Sequence, residues 1–151
     1  MQKILVLSGS SNSGKTNTLQ RLAILMSSMS NKYSVDGNAS SMLPTSLPVI
    51  GDGKYVFVEK TNGQRIGIAT GGDTVKIIDD AFKYFVENNC DIVIVASKSY
   101  GSTVWEIERH ARRIGIKPLY FWLIWNPKNI QNVRDQDTIQ CDISAQLESI
   151  I

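Results

Sequence analysis

The stretch Gly9-Ser10-Ser11-Asn12-Ser13-Gly14-Lys15-Thr16 carries residue types that bind phosphate, at a spacing that lets them act together. Gly9 and Gly14 permit backbone angles that turn successive N–H groups inward, forming a nest for an anion. Lys15 would bring an ammonium to the β- and γ-phosphates of a bound triphosphate, and the Thr16 hydroxyl would ligate Mg²⁺. Asn17 follows directly and extends the polar set. All four constrained positions of G-x-x-x-x-G-K-[ST] are met. A plain turn needs no such combination.

The nest works only at a strand–helix junction, and the flanking residues supply one. Residues 3–7, "KILVL", are apolar almost throughout, as in a parallel strand covered on both faces. Beyond the loop, Leu19, Leu22, Ala23, Met26 and Met29 recur at helical spacing. The start of that helix adds partial positive charge behind the loop.

The segment resembles the Walker A motif of P-loop NTPases, and the size of the chain is similar to that of the kinase-like members of the superfamily. The strand–helix alternation extends the likeness loosely over residues 1–125. The resemblance implies an α/β fold that binds ATP or GTP with Mg²⁺ for phosphoryl transfer or hydrolysis. It also implies an acid at the end of a neighbouring buried strand, orienting Mg²⁺ and its waters. Asp73, after "RIGIATGG", is the candidate. The family places this acid directly after the apolar run, whereas Thr70-Gly71-Gly72 intervene here. Capping the following helix is the other role open to Asp73. Lys98, after "DIVIVAS", is the candidate cation for a transferred phosphoryl group. The guanine signature N-K-x-D is absent, "NPKN" at 126–129 not supplying it, which leans the choice toward ATP.

Two other readings stand beside this one. The opening is also similar to that of flavodoxin-like FMN reductases, where Ser8, Ser10, Ser13, Asn17 and Thr18 would hold the flavin phosphate. The chain could instead be a nucleotide-binding switch or partner module with little turnover. Residues 31–53 and an arginine-bearing helix face would then meet a protein or another macromolecule.

The elements that must position these residues follow along the chain. Residues 27–53, rich in Ser, Asn, Gly and Pro, read as a long mobile loop or flap, in which Asp36 or Asp52 could serve as a base toward an acceptor. Residues 54–72 read as a hairpin turning at Asn62-Gly63 in type I′, with 54–59 as an antiparallel edge strand. Helices are expected over 74–88 and 103–114 and strands over 91–97 and 117–125, then a tail over 126–151 with a short helix after Asp142. The sum is a single α/β domain, a mainly parallel sheet of about five strands with helices on both faces. Its ligands belong beyond the carboxyl ends of the strands, where loops 8–16, 70–74 and 97–103 meet.

The remaining charged residues read as structural. Asp91 starts its strand at the opposite edge, Asp79 and Asp80 sit inside a helix, and His110 is a lone structural histidine. Trp105, Arg109 and Arg112 share one helix face, adjoined by Arg113, with Glu106 and Glu108 as partners. The net charge of +2 in 151 residues gives no argument for nucleic acid. Cys90 and Cys141 form no metal-binding pattern and suit a reducing, cytoplasmic compartment, and no apolar run approaches the length of a membrane span.

Overall fold

In a computed structural model of the protein, the residues described are 1–10, 14–27, 30–35, 38–40, 55–122, 145, 149 and 151. They form strands β1 (Lys3–Ser8), β2 (Ser30–Val35), β3 (Asn38–Ser40), β4 (Tyr55–Lys60), β5 (Arg65–Ala69), β6 (Ile92–Ser97) and β7 (Leu119–Trp122). Three helices are interleaved: α1 (Lys15–Ser27), α2 (Val75–Glu87) and α3 (Ser102–Ile114). The strands make one sheet in the order β3-β2-β4-β5-β6-β1-β7.

Side-chain alternation sorts each central strand between two cores. Leu5 and Leu7 of β1 join Ile66, Ile68, Ile92 and Ile94 under α1, which contributes Leu19, Leu22, Ala23 and Met26. Ile4 and Val6 join Val93 and Val95 on the opposite face, under Ile78, Phe82 and Phe85 of α2 and Ile107 and Ala111 of α3. Helices therefore cover both faces, which is why β1 and β6 are apolar without alternation. Cys90 lies in the second core, where burial pushes its thiol up to about 12 and leaves it unreactive at neutral pH.

The expected five strands are present as β4-β5-β6-β1-β7, parallel except for β4. Two expectations need correction. The hairpin strand β4 is not an edge, because β2 pairs antiparallel along its outer side and β3 pairs antiparallel with β2. Residues 30–40 of the supposed 27–53 loop thus contain two strands. The polar sequence "SNKYSV" hides β2, since ladder pairing uses backbone groups that every residue carries. The hairpin turn also differs from type I′, which needs positive φ at both central residues. Gly63 has φ 84°, but among the described residues Asn89 alone has positive φ without being glycine, so Asn62 does not. Gly63 N–H closes the turn on the Lys60 carbonyl at 2.9 Å, and the Asn62 side chain accepts from Gln64 N–H at 3.0 Å.

Residues 145 and 149 are helical. Met29, Asp36, Asp52, Cys141, Asp142, most of the 126–151 tail and the end of the expected last strand lie outside the described residues. No helix among the described residues is long and apolar enough to cross a membrane.

Candidate functional site

The chain leaves the carboxyl ends of two adjacent strands in opposite directions. β1 leads into α1 on one face of the sheet, whereas β6 leads into α3 on the other. Open α/β sheets hold their ligands in the crevice that such a divergence opens. Its floor is polar. The apolar runs "KILVLS" and "IVIVAS" both end in serine, and the register pairs Ser8 with Ser97. The two buried hydroxyls lie 3.2 Å apart and donate to the Lys98 carbonyl at 3.1 and 2.8 Å. Lys98 N–H donates in turn to the Thr103 hydroxyl at 3.3 Å, tying the start of α3 to the end of β6.

Above this floor the phosphate-type loop enters α1. Gly14 has φ 86°, the left-handed conformation the nest requires, and its carbonyl accepts from both the amide and the hydroxyl of Thr18. Lys15 is 7% exposed, so it is not a solvated surface residue. Its ammonium folds back over the loop and donates to the Gly9 and Ser10 carbonyls at 2.8 and 2.7 Å. Burial pushes the ammonium below its ordinary pKa; the Asp73 charge opposes that shift and the Lys98 charge adds to it. Lys15, Asp73 and Lys98, singled out from three separate loops, therefore share one electrostatic neighbourhood. Gly9 is buried, Thr16 half-buried, and Ser10 and Asn17 exposed. Ser11, Asn12 and Ser13 lie outside the described residues.

Asp73 needs a more exact placement than the sequence allowed. Its strand, β5, is not the neighbour of β1, because β6 stands between them. β6, the strand between them, ends in Ser97, with no carboxylate. Nor does Asp73 cap α2. Thr74 is the N-cap, its hydroxyl accepting from Ile77 N–H at 3.2 Å, while Asp73 is exposed. Thr74→Ala should accordingly cost about 1 kcal/mol in urea denaturation, and Asp73→Ala almost nothing.

Compared with protein-family models, curated proteins and solved structures, the chain matches none. A flavodoxin-like sheet runs 2-1-3-4-5, placing its first strand between the second and third. Here β1 lies between β6 and β7, so the sheet does not have the flavodoxin order.

A second cluster of titratable groups lies between α2 and α3. Asp79, Glu106 and His110 bring ligand-type atoms within 4.8 Å of one another. Cations already occupy them. Lys83 pairs with Asp79 at 2.7 Å, and Arg109 bridges Asp79 at 3.2 Å and Glu106 at 2.5 Å. Arg113 lies 2.8 Å from His110 Nδ1. Nδ1 accepts from Arg113, whereas Nε2 faces the Asp79 and Glu106 carboxylates at 3.0 and 3.2 Å, closer than Arg109 at 3.3 Å, an arrangement that assigns the proton to Nε2. His110 is fully buried and stacks on Phe82 at 4.6 Å. These contacts make the cluster a helix–helix clamp. Arg109, Arg113 and Asp79 belong to it, Asp80 pairs with Lys76, and Arg112 is exposed. Asp91 likewise serves the far edge of the sheet, accepting from Arg65 N–H at 2.9 Å.

The clamp gives stability a pH dependence. Burial, then the Arg109 and Arg113 charges, push His110 below its ordinary 6.5, against the opposing pull of Asp79. The unfolded chain therefore takes up the proton first, and stability falls as pH drops below 6.5. The slope should approach about 1.4 kcal/mol per pH unit until the folded imidazole also titrates. Asp79 and Glu106, held below the ordinary carboxylate range by their cations, act only at lower pH. Denaturation curves at pH 6.5 and 5.5 should show the loss in wild type and a flattened profile in His110→Gln. An unchanged slope in the variant would remove His110 as its source.

Proposed function

We propose that loop 9–16 binds the phosphates of a nucleoside triphosphate, ATP or GTP, together with Mg²⁺. The observation that carries this reading is Lys15, a desolvated ammonium folded over loop carbonyls where β1 passes into α1. A buried cation is costly unless an anion or several acceptors meet it. Phosphate oxygens at the α1 N-terminus would meet it while satisfying the first-turn amides. Thr16 would hold the metal, with Asp73 reaching it through water and Lys98 facing the terminal phosphate. Bound there, Mg²⁺ would neutralise charge building on the β- and γ-oxygens.

A second reading, a binding module with slow turnover, gains from Ser97. Without a carboxylate at the end of β6, a metal's water shell would be less firmly oriented. Calorimetric titration with Mg·ATP, Mg·GTP and FMN tests the main proposal, and phosphate release separates the two readings. Binding of a triphosphate but not FMN is expected. No binding of either triphosphate would overturn the proposal. Unaltered Mg²⁺ dependence in Asp73→Asn would exclude that residue from the metal's surroundings.

A further inference from the structure

Three large aromatic side chains at the carboxyl edge of the sheet stand exposed: Tyr100 (82%) after β6, Trp105 (71%) near the start of α3 and Trp122 (58%) at the end of β7. The register fixes where Trp122 sits. It pairs with Ser8, the last residue of β1 before the phosphate-type loop. Adjacent strands are about 5 Å apart, so the Trp122 backbone borders that of the loop's first residues. Paired residues project to the same face, and Tyr120, two residues earlier, pairs with Val6 of the core beneath α3. The Tyr120 hydroxyl donates to Glu108 of α3, and its ring stacks with that of Trp122 at 6.2 Å. Trp105 lies three residues before Glu108, one turn closer to the start of α3 and therefore to the carboxyl edge. Trp105 and Trp122 thus continue, beyond the sheet, the line made by Glu108 and Tyr120.

Local structure does not account for their exposure. Tyr100 and Trp105 flank the N-cap Gly101 at the two positions whose apolar side chains commonly staple a helix start. Among the described residues no ring contact joins them, and both face solvent. Across β1 from β7 stands β6, which Lys98 follows directly, and Lys15 opens α1 beyond the end of β1. A ligand with an anionic end and a flat aromatic end matches that division.

We propose that Trp105 and Trp122 form a stacking platform for the nucleobase of the bound triphosphate, with Tyr100 at its margin. This rests on loop 9–16 being the phosphate site. Ring faces recognise the π surface common to all bases, so adenine and guanine nucleotides bind with similar affinity. The absence of a guanine-specific signature is then a consequence of the mode of binding.

The test is calorimetric titration of wild type, Trp105→Ala, Trp122→Ala and Trp122→Phe with Mg·ATP, Mg·GTP and inorganic tripolyphosphate. Loss of a stacking ring should weaken both nucleotides roughly 5- to 150-fold. Tripolyphosphate, which has no base, should bind every variant as it binds wild type, and Trp122→Phe should recover most of the nucleotide affinity. Nucleotide should also quench tryptophan fluorescence where tripolyphosphate does not. Both positions are exposed, and far-UV circular dichroism confirms that the variants fold. Unchanged nucleotide affinity in both alanine variants would overturn the platform while leaving the phosphate site standing. If wild type binds neither nucleotide nor tripolyphosphate, the phosphate site itself falls, and the platform with it.

Discussion

Replacing Lys15 with alanine should weaken triphosphate binding about 10²- to 10⁴-fold, from two lost charge-assisted hydrogen bonds of roughly 1.5–3 kcal/mol each. The fold should survive the change. In the free protein the ammonium is desolvated and gives its bonds to the Gly9 and Ser10 carbonyls. Removing it relieves the desolvation and forfeits those bonds, two effects of opposite sign, so stability should stay within about 1 kcal/mol of wild type. The paired readout is a thermal-shift series. Wild type at a hundredfold excess of nucleotide over its Kd gains about 2.7 kcal/mol, or roughly 5–11 °C at this chain length. Lys15→Ala should melt within about 4 °C of wild type without nucleotide and shift by less than about 2 °C with it. A shift of wild-type size would remove Lys15 from the phosphate site. Lys98→Ala should show a smaller loss, because Lys98 is exposed and acts on the site through space.

Gly72→Ala should be the most damaging single methyl addition in the site region. A Cβ there would lie 2.0 Å from the Ala96 carbonyl oxygen and 2.4 Å from its carbon. Both are main-chain atoms of β6, held by ladders to β1 and β5. Relief requires the segment leaving β5 to lift off β6, which also displaces Asp73. The cost should be about 3 kcal/mol, the upper end for overpacking, with a fall in melting temperature of roughly 6–12 °C. Gly67→Ala provides the contrast. Its Cβ would meet the Phe85 ring at 2.4 Å, and a side chain can turn aside more readily than a strand. Urea denaturation of the two variants should rank Gly72→Ala clearly below Gly67→Ala. Wild-type stability in Gly72→Ala would mean that the β5–β6 exit is looser than its packing indicates.

What could be read directly from the sequence was local. The apolar run of β1, the helical spacing of Leu19, Leu22, Ala23 and Met26, and the left-handed glycine before Lys15 all depend on neighbours within a few residues. Side-chain periodicity likewise placed α2, α3, β5 and β6 and assigned helices to both faces. β2 escaped this reading because its partner is a ladder of backbone groups on β4, to which side-chain type is nearly irrelevant. The type I′ expectation failed for a related reason. Asn62-Gly63 permits that turn, but the side-chain bond from Asn62 to Gln64 N–H and the closure at Lys60 favour another.

The candidate site divides in the same way. The chemistry of Gly9, Gly14, Lys15 and Thr16 is written in their types and spacing, since a nest and a helix start are made by consecutive residues. The order of the strands is not, because it is decided by which faces the connecting helices can cover. That order placed β6 between β1 and β5, set Ser97 rather than an acid beside the loop, and left Asp73 one strand away. It also carried Trp122 to the side of Ser8, across more than a hundred residues of chain. The sequence by itself determined a loop fit to hold phosphate. Only the packing of helices on both faces decided what surrounds that loop, because neighbours across a sheet are chosen by burial and not by position in the chain.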